Sequence, residues 1–327
     1  MPVARPFCFA IQSFSAPSGA VWRETARKTE DLGYSALHLA DHFLGPGPAI
    51  ERANHPVQTL AAIPAMAVAA EATSTLRIGC RVFCIDYHHP AMLAKEATTL
   101  DLFSSGRLEL GLGAGWIRSE YESAGIQFDP PGKRIARLAE AITAIKSLMS
   151  PGPIQLDGEH YSIHDFEGSP QPIQQPHPPI MVGGGARRIL TLAAQEANIV
   201  SFNFDNSSGM IGPAGLQSAT AKATAEKVGW VHDAATAAGR LDEIELEIGA
   251  YFTVVTPDGR AAAEGMAAAF GLHVDEMLEH PHALIGSVDA ICEELERRRD
   301  LYGISYVTVP YEQADAFAPI AARLSGT

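Results

Sequence analysis

The stretch GRLELGLGAGW, Gly106 to Trp116, decides how this chain folds. Its short apolar run, Leu108–Leu112, has the look of a buried strand, and glycines stand at 111, 113 and 115. A dinucleotide-binding loop would read G-x-G-x-x-G in the first strand-to-helix turn of a doubly wound fold. Here the spacing is G-x-G-x-G, Trp116 follows, and the run is the fourth strand-like segment of the chain. No acidic residue stands well placed at the end of a following strand to hold a ribose. The glycines read better as a strand end that, lacking Cβ atoms, lets a flat ligand approach the backbone.

Outward from this stretch, β-rich apolar runs alternate with Ala/Leu/Glu-rich helical patterns. Strands are expected at Phe7–Ile11, Ser35–Ala40, Leu76–Phe83, Leu108–Leu112, Ile180–Val182, Ile199–Phe202, Ile244–Val255 and Tyr306–Val309. Helices are expected at 19–32, 54–72, 90–103, 135–149, 186–197, 216–238, 261–270, 287–302 and 314–324, the first stopped by Gly33 and the third opened by Pro90. The segment 150–178 differs: it is rich in Pro, Gly and Gln, with two short β-like pieces, and reads as a hairpin insertion. Eight strand–helix units without a separating linker imply parallel strands. The expected fold is therefore α/β, a (β/α)8 TIM barrel formed by a single domain over 1–327. Two doubly wound domains are the competing arrangement, and apart from 150–178 no composition break near the middle supports it.

Bulk properties narrow the partners. The chain has 327 residues, 46% hydrophobic and 19% charged, with a formal net charge of −14. No basic run exists to bind nucleic acid; ERRRD, Glu296–Asp300, is flanked by acids and reads as a solvated helix face. The most apolar window, TLAAIPAMAVAA, contains Pro64 and is too short to span a membrane. The opening MPVARPFCFAIQSF reads without a secretory leader, so a cytoplasmic location with four free thiols is expected. Cys80, Cys84, His88 and His89 lie in and just after a strand pattern, with no second ligand pair, so no metal site is expected.

A TIM barrel carries its site at the C-terminal strand ends. In order these are Gln12; Asp41 and His42; Val82, Phe83 and Cys84; Ala114, Gly115 and Trp116; Gly183, Gly184 and Gly185; Asn203 and Phe204; Val255 and Thr256; Pro310 and Tyr311. The set lacks a lysine for a Schiff base, a facing carboxylate pair and a metal triad. It suits a flat cofactor that brings its own chemistry. MVGGGARRIL, Met181–Leu190, runs from a strand through three glycines into a helix, an arrangement that binds phosphate on backbone N–H groups, with Arg187 and Arg188 adding charge. A tight turn alone would need fewer glycines.

Together these segments resemble the bacterial luciferase-like superfamily of flavin and deazaflavin (coenzyme F420) oxidoreductases. SALHLADHF (35–43), LRIGCRVF (76–83), HPAMLAKEATTLDLFSSGRLELGLGAGW (89–116), PPIMVGGGARRILTLAAQEANIV (178–200) and IGSVDAICEELERRRDLYGISYVTV (285–309) carry the resemblance, the last pointing to the actinobacterial deazaflavin branch. The resemblance implies a homodimeric TIM barrel with the cofactor ring at the strand ends and its phosphate on Gly183, Gly184, Gly185 and Ala186. Asp41, Arg81, Val82, Phe83, Ala114, Gly115 and Trp116 would complete the cofactor site. It also implies a non-prolyl cis peptide at Arg81–Val82, although Arg81 is bulkier than the small residue often found there.

In deazaflavin-dependent members the histidine of the DHF motif lies beside the reacting carbon of the ring, which makes His42 the expected catalytic residue. An imidazole titrating near pH 6.5 can give or take a proton as hydride moves. The plainer alternative is that Asp41 caps the next segment and His42 is merely exposed. Sugar-phosphate dehydrogenases of the family carry an acidic residue where this chain has Trp116, so a hydrophobic small-molecule substrate is expected instead. Glu120 and Tyr121 follow within one helical turn, and core packing is the alternative role for Trp116. The resulting expectation is an F420-dependent oxidoreductase; the alternatives are an FMNH2-dependent luciferase-like monooxygenase using FMN, and a non-catalytic flavin-binding or deazaflavin-binding protein. The segment 203–215 with the following helix is expected to cover the barrel mouth as a lid.

Overall fold

In the computed structural model, which describes residues 5–327, eight parallel strands close on one another. Residues 1–4, part of the stretch read above for a leader, lie outside the described residues. The first half of the chain runs β1 (Cys8–Gln12), α1 (Gly19–Asp31), β2 (Ala36–Leu39), α2 (Pro48–Ala53), α3 (Ala62–Ala72), β3 (Arg77–Cys80), β4 (Phe83–Cys84), α4 (Pro90–Phe103), β5 (Leu108–Gly113), α5 (Arg118–Ala124) and α6 (Pro131–Leu148). An antiparallel hairpin follows, β6 (Ile154–Asp157) with β7 (Ser162–Phe166). The second half runs β8 (Ile180–Gly184), α7 (Arg187–Glu196), β9 (Ile199–Phe202), α8 (Pro213–Gln217), α9 (Ala221–Ala237), β10 (Glu245–Gly249), β11 (Phe252–Val255) and α10 (Gly259–Phe270). It ends with α11 (Val274–Glu279), β12 (Ala283–Gly286), α12 (Val288–Tyr302), β13 (Ile304–Pro310) and α13 (Ala314–Leu324).

The ring of pairings is β1–β2–β3–β5–β8–β9–β10–β13 and back to β1. Barrel strands are covered on both faces, by helices outside and by packed side chains inside, which is why they read as near-continuous apolar runs. Phe9, Leu37, Leu39, Leu110, Leu112, Val200 and Phe202 form the layer beneath the helices and are at most 1% exposed. Not every buried side chain is apolar. Inside the barrel Glu109 Oε2 lies 2.8 Å from His38 Nε2 and accepts from the Tyr306 hydroxyl at 2.8 Å. Arg77 closes this network 2.5 Å from Glu109 Oε1. Buried charge is tolerated where it is paired in this way.

The third strand breaks at a cis Arg81–Val82 peptide, so β3 and β4 take the place of one strand over 76–83. Two of the glycines that opened the reading face residues 80–82. A Cβ on Gly111 would overlap the Cys80 carbonyl, and one on Gly113 would overlap Val82. At Gly115, with φ of +69°, it would overlap the Tyr121 hydroxyl. Close approach is the reason for all three glycines, and the protein's own atoms already make it.

Several boundaries differ from expectation. The strand expected over Ile244–Val255 is two strands. Ala250 N still donates to Thr308 O in the barrel, but Phe252 N donates to His282 O, and β11 pairs with β12 outside the barrel. Ala263, Ala267, Met277 and Ala283 give this side layer its own small core. The helix expected over 216–238 is interrupted: α8 ends at Gln217, and Thr220 caps α9 by accepting from Ala223 N. The helix expected from residue 54 begins only at Ala62. The short helices α2 and α5 lie in segments that show no helical period.

Candidate active site

Two cavities share the C-terminal rim of the barrel. One is a narrow cleft of about 170 Å³ lined by Asp41, His42, Arg81, Val82, Ala114, Gly115, Trp116, Gly183, Gly184, Gly185 and Ala186. Phe83 alone among the expected cofactor residues is missing from the lining. Strand alternation turns its side chain to the opposite face from Val82, and it lies 1% exposed in the core, edge-on to His88. The second cavity is larger, about 860 Å³, and shares His42, Arg81, Trp116, Asn203, Phe204 and Asn206 with the cleft. Val255 and Thr256 do not reach either cavity, because β11 has left the barrel; Tyr251 and Phe252 line the larger one instead.

His42 stands where the cavities meet. Its Nδ1 lies 2.8 Å from Glu120 Oε2, and Glu120 is wholly buried. The same carboxylate accepts from Phe43 N at 2.7 Å and from the Tyr87 hydroxyl at 2.9 Å. Burial by itself would raise the Glu120 pKa; the hydrogen bond and charge of His42, with Phe43 N and Tyr87, outweigh it and hold the carboxyl below its usual range. An ionised Glu120 fixes the proton on Nδ1 and turns Nε2, which has no partner among the described residues, toward the junction. Trp116 stands edge-on to His42 with centroids 5.7 Å apart, so it lines the site and does not belong to the core. His55 lies 4.7 Å from His42, and burial, then the nearby His42, pulls it down to about 4.

Asp41 caps no helix. Its Oδ2 accepts from Cys84 N at 2.9 Å and lies 2.8 Å from His88 Nε2, which ties the end of β2 to the strand beyond the cis peptide. Arg81 turns its bulk inward: Nε donates to Glu247 at 3.0 Å and Nη1 to the Tyr251 hydroxyl at 2.8 Å. The cis peptide and a large side chain coexist because the side chain is housed inside the barrel. Burial pushes the Cys84 thiol up to about 12, which keeps it protonated beside the cleft.

The glycines at the end of β8 divide by cause. Cβ atoms on Gly184 and Gly185 would overlap Ile189 and the Phe204 carbonyl. One on Gly183 would meet Val82 and Ser201 only at 3.6–3.8 Å, so packing does not require that glycine. The helix α7 then begins with Ala186 at its N-cap and no side chain accepting from its free N–H groups. Arg134, Ile135, Asn203 and Asp205–Ser207 complete the cleft. Arg134 donates to the Ala114 and Gly115 carbonyls, holding that strand end in place. Nothing in the local pattern of α6 singled it out.

The luciferase-like monooxygenase family model matches residues 12–320. The chain belongs to this family. An F420-dependent glucose-6-phosphate dehydrogenase of Amycolatopsis mediterranei is 31% identical over 163 residues, 50% of this chain and 47% of that protein. An FMNH2-dependent dimethylsulfone monooxygenase of Pseudomonas putida is 31% identical over 106 residues, 32% of this chain and 29% of that protein. The chain spans less than two thirds of the length of the curated relatives it matches. An F420-dependent secondary alcohol dehydrogenase, solved with an F420–acetone adduct, superposes with a TM-score of 0.78 at 17% identity, over 98% of this chain and 99% of that one. At that identity the likeness is one of fold.

The cleft of this luciferase-like barrel has the chemistry to hold a planar cofactor. Ser201 Oγ, Asn206 Oδ1 and Arg81 Nη2 are buried without a partner among the described residues, and all three residues line it. Buried polar atoms are almost always hydrogen-bonded, so unpartnered ones on residues of this wall fit a ligand with polar edges, and the start of α7 fits an anionic tail.

Proposed function

We propose that this chain is an oxidoreductase that transfers hydride between coenzyme F420 and a small, largely apolar organic substrate, with His42 handling the accompanying proton. The observation that carries this reading is the position of His42 between the two cavities, Nδ1 clamped by buried Glu120 and Nε2 left open. The deazaflavin ring, when bound, supplies the two-electron chemistry. Ser201, Asn206 and the Arg81–Val82 backbone would hold its edges, and the Gly183–Ala186 amides its phosphate. Asp41 and Arg134 keep the strand ends that form the cleft in place. Nε2 gives or takes the proton at the substrate.

The larger cavity is walled by Phe14, Val57, Trp116, Ile211, Leu216 and Phe270, among others. Among its described lining residues Arg81 is the one lysine or arginine, and Glu247 already neutralises it. That disfavours a sugar phosphate and favours an apolar substrate. No helix among the described residues is long and apolar enough to cross a membrane. We read residues 1–327 as one domain acting in the cytoplasm as a homodimer, with neither nucleic acid nor membrane as partner. The segment 203–215 serves as the lid; in support, Arg118 N donates to Gly209 O and Ile211 N to Ala53 O across the barrel mouth.

Titration of the purified chain with F420 and with FMN, followed by fluorescence quenching, tests the cofactor. Micromolar F420 affinity is expected. Binding of FMN alone would reassign the chain as a reduced-FMN monooxygenase. His42→Ala should lower turnover about 100-fold and leave F420 affinity within about twofold. Unchanged turnover would remove His42 from proton transfer.

A further inference from the structure

At one side of the larger cavity, next to Arg81, lie two polar groups to which the reading above gives no task, Tyr251 and Thr308. Tyr251 stands where the chain leaves the barrel after β10. Its hydroxyl accepts from Arg81 Nη1 at 2.8 Å, and its own proton has no acceptor among the described residues. Arg81 also stacks over the Tyr251 ring at 5.5 Å, while its Nη2 is buried without a partner among the described residues. Thr308 Oγ1, on a residue only 2% exposed, is likewise buried without a partner among the described residues. All three residues line the cavity and surround one backbone point: Gly249 pairs in register with Thr308, and a Cβ built on it would come within 2.9 Å of both Arg81 Nη2 and the Tyr251 ring.

The phenol is firmly placed. It stacks on His282 with centroids 5.4 Å apart and an interplanar angle of 11°, and His282 Nδ1 donates to Gly249 O at 2.7 Å. Phe204 packs against Tyr251 at 5.5 Å. A hydroxyl that accepts from a guanidinium becomes a stronger donor through its own proton, since hydrogen bonds in a chain polarise one another. Such a donor, open to an apolar cavity, needs an acceptor.

We propose that Tyr251, positioned by Arg81 and assisted by Thr308, binds the oxygen of a neutral carbonyl or alcohol substrate. This rests on reading the larger cavity as the substrate's place. Charge balance selects the neutral class. The Arg81 charge is matched by Glu247, whose side chain is 0% exposed. Burial, with His42 nearby, pulls His55 down to about 4, so it is neutral near pH 7. Glu120 already pairs with His42, and the remaining charged group in the lining, Glu312, is acidic. A carboxylate or phosphate would enter without an unpaired cation to meet it, whereas a ketone or alcohol needs only the donor that is present.

The test uses the full chain and three probes of similar shape: cyclohexanone, methylcyclohexane and cyclohexanecarboxylate, with binding read by ligand-observed NMR titration. The wild-type chain should bind the ketone most tightly. Tyr251→Phe should weaken the ketone about fivefold to tenfold and leave methylcyclohexane within about twofold, a difference that a merely structural change would not produce. Glu247→Gln leaves the Arg81 charge uncompensated and should turn the preference toward the carboxylate. If that variant does not fold, Tyr251→Phe decides alone. Equal ketone affinity in Tyr251→Phe, a wild-type preference for the carboxylate, or binding of none of the probes would overturn the proposal. The F420 and FMN titrations are read separately, so loss of the redox reading with ketone selectivity kept is distinguishable from the reverse.

Discussion

His42 Nδ1 and Glu120 Oε2 lie 2.8 Å apart and join the residue pair after β2 to the first turn of α5, two segments separated by 78 positions in the chain. With Phe43 N and the Tyr87 hydroxyl also on Glu120, the carboxylate is oriented from three sides. Glu120→Gln keeps the shape but removes the charge that fixes the His42 tautomer. Turnover should fall about 100-fold, cofactor affinity should stay within about twofold, and the double variant with His42→Ala should be no slower than His42→Ala alone. Steady-state kinetics on the three variants checks this; additive losses would mean that Glu120 acts elsewhere.

The two causes of glycine at the end of β8 give opposite expectations. Gly185→Ala forces a Cβ into the Phe204 carbonyl, which is backbone and cannot rotate away. It should lower thermal stability by about 2–4 kcal/mol. Gly183→Ala finds ordinary contacts at 3.6–3.8 Å, so its melting temperature should hold or rise slightly. Its methyl group would narrow the cleft, and F420 affinity should fall about tenfold. Melting curves beside cofactor titrations separate the two; equal affinities for wild type and Gly183→Ala would move the cofactor away from this strand end.

Much of the fold was legible because hydrophobic period and helix-end signals are local. Alternation gave the strand–helix units, and the ring of pairings closes them as expected. Direction within a buried strand is not local. His38 and Glu109 sit in apolar runs 71 positions apart, and only closure of the barrel brings them to 2.8 Å. The Gly111–Gly115 pattern was visible, but its causes, the Cys80 carbonyl and Val82 for the first two glycines and the Tyr121 hydroxyl for the third, were not. Tyr251 was hidden for a related reason. Residues 244–255 keep a strand-like pattern across the point where the chain changes sheets, and the single Gly249 just before the departure reads as part of one strand.

Glu30 offers a stability test far from the site. Its Oε1 accepts from Ser74 N at 2.8 Å, Thr75 N at 2.6 Å, Thr75 Oγ1 at 2.8 Å and Leu76 N at 3.0 Å, closing the turn into β3. Burial would raise its pKa, but these donors outweigh it and lower the carboxyl from 4.5 to about 2. A depressed carboxyl favours the folded state above its unfolded value and loses that contribution as pH falls through the folded one. Glu30→Gln should therefore cost about 2 kcal/mol at pH 7 and much less near pH 2. Urea unfolding at both pH values measures the difference; a constant cost would show that the charge is not what matters.

A second acid-sensitive window lies higher and belongs to histidine. Burial, followed by the nearby His42, pulls His55 down to about 4; burial does the same to His280, and it holds His282 well below its ordinary value. For a base whose folded pKa is depressed, the unfolded chain binds the extra proton. The native state is therefore undisturbed above about pH 6.5 and loses stability as pH falls toward 4. His55→Gln removes one such group, and the half-buried position limits the effect to about 1–2 kcal/mol between pH 7 and pH 5. The wild-type chain should lose that much more stability across this interval than the variant. His42→Ala should recover part of the same loss, because it removes the neighbouring charge that opposes His55 protonation. Chemical unfolding at pH 7 and pH 5 for the three chains checks both statements. Parallel pH slopes in wild type and His55→Gln would show that His55 takes up its proton freely in the folded chain, and that the cavity wall beside His42 is wetter than its packing implies.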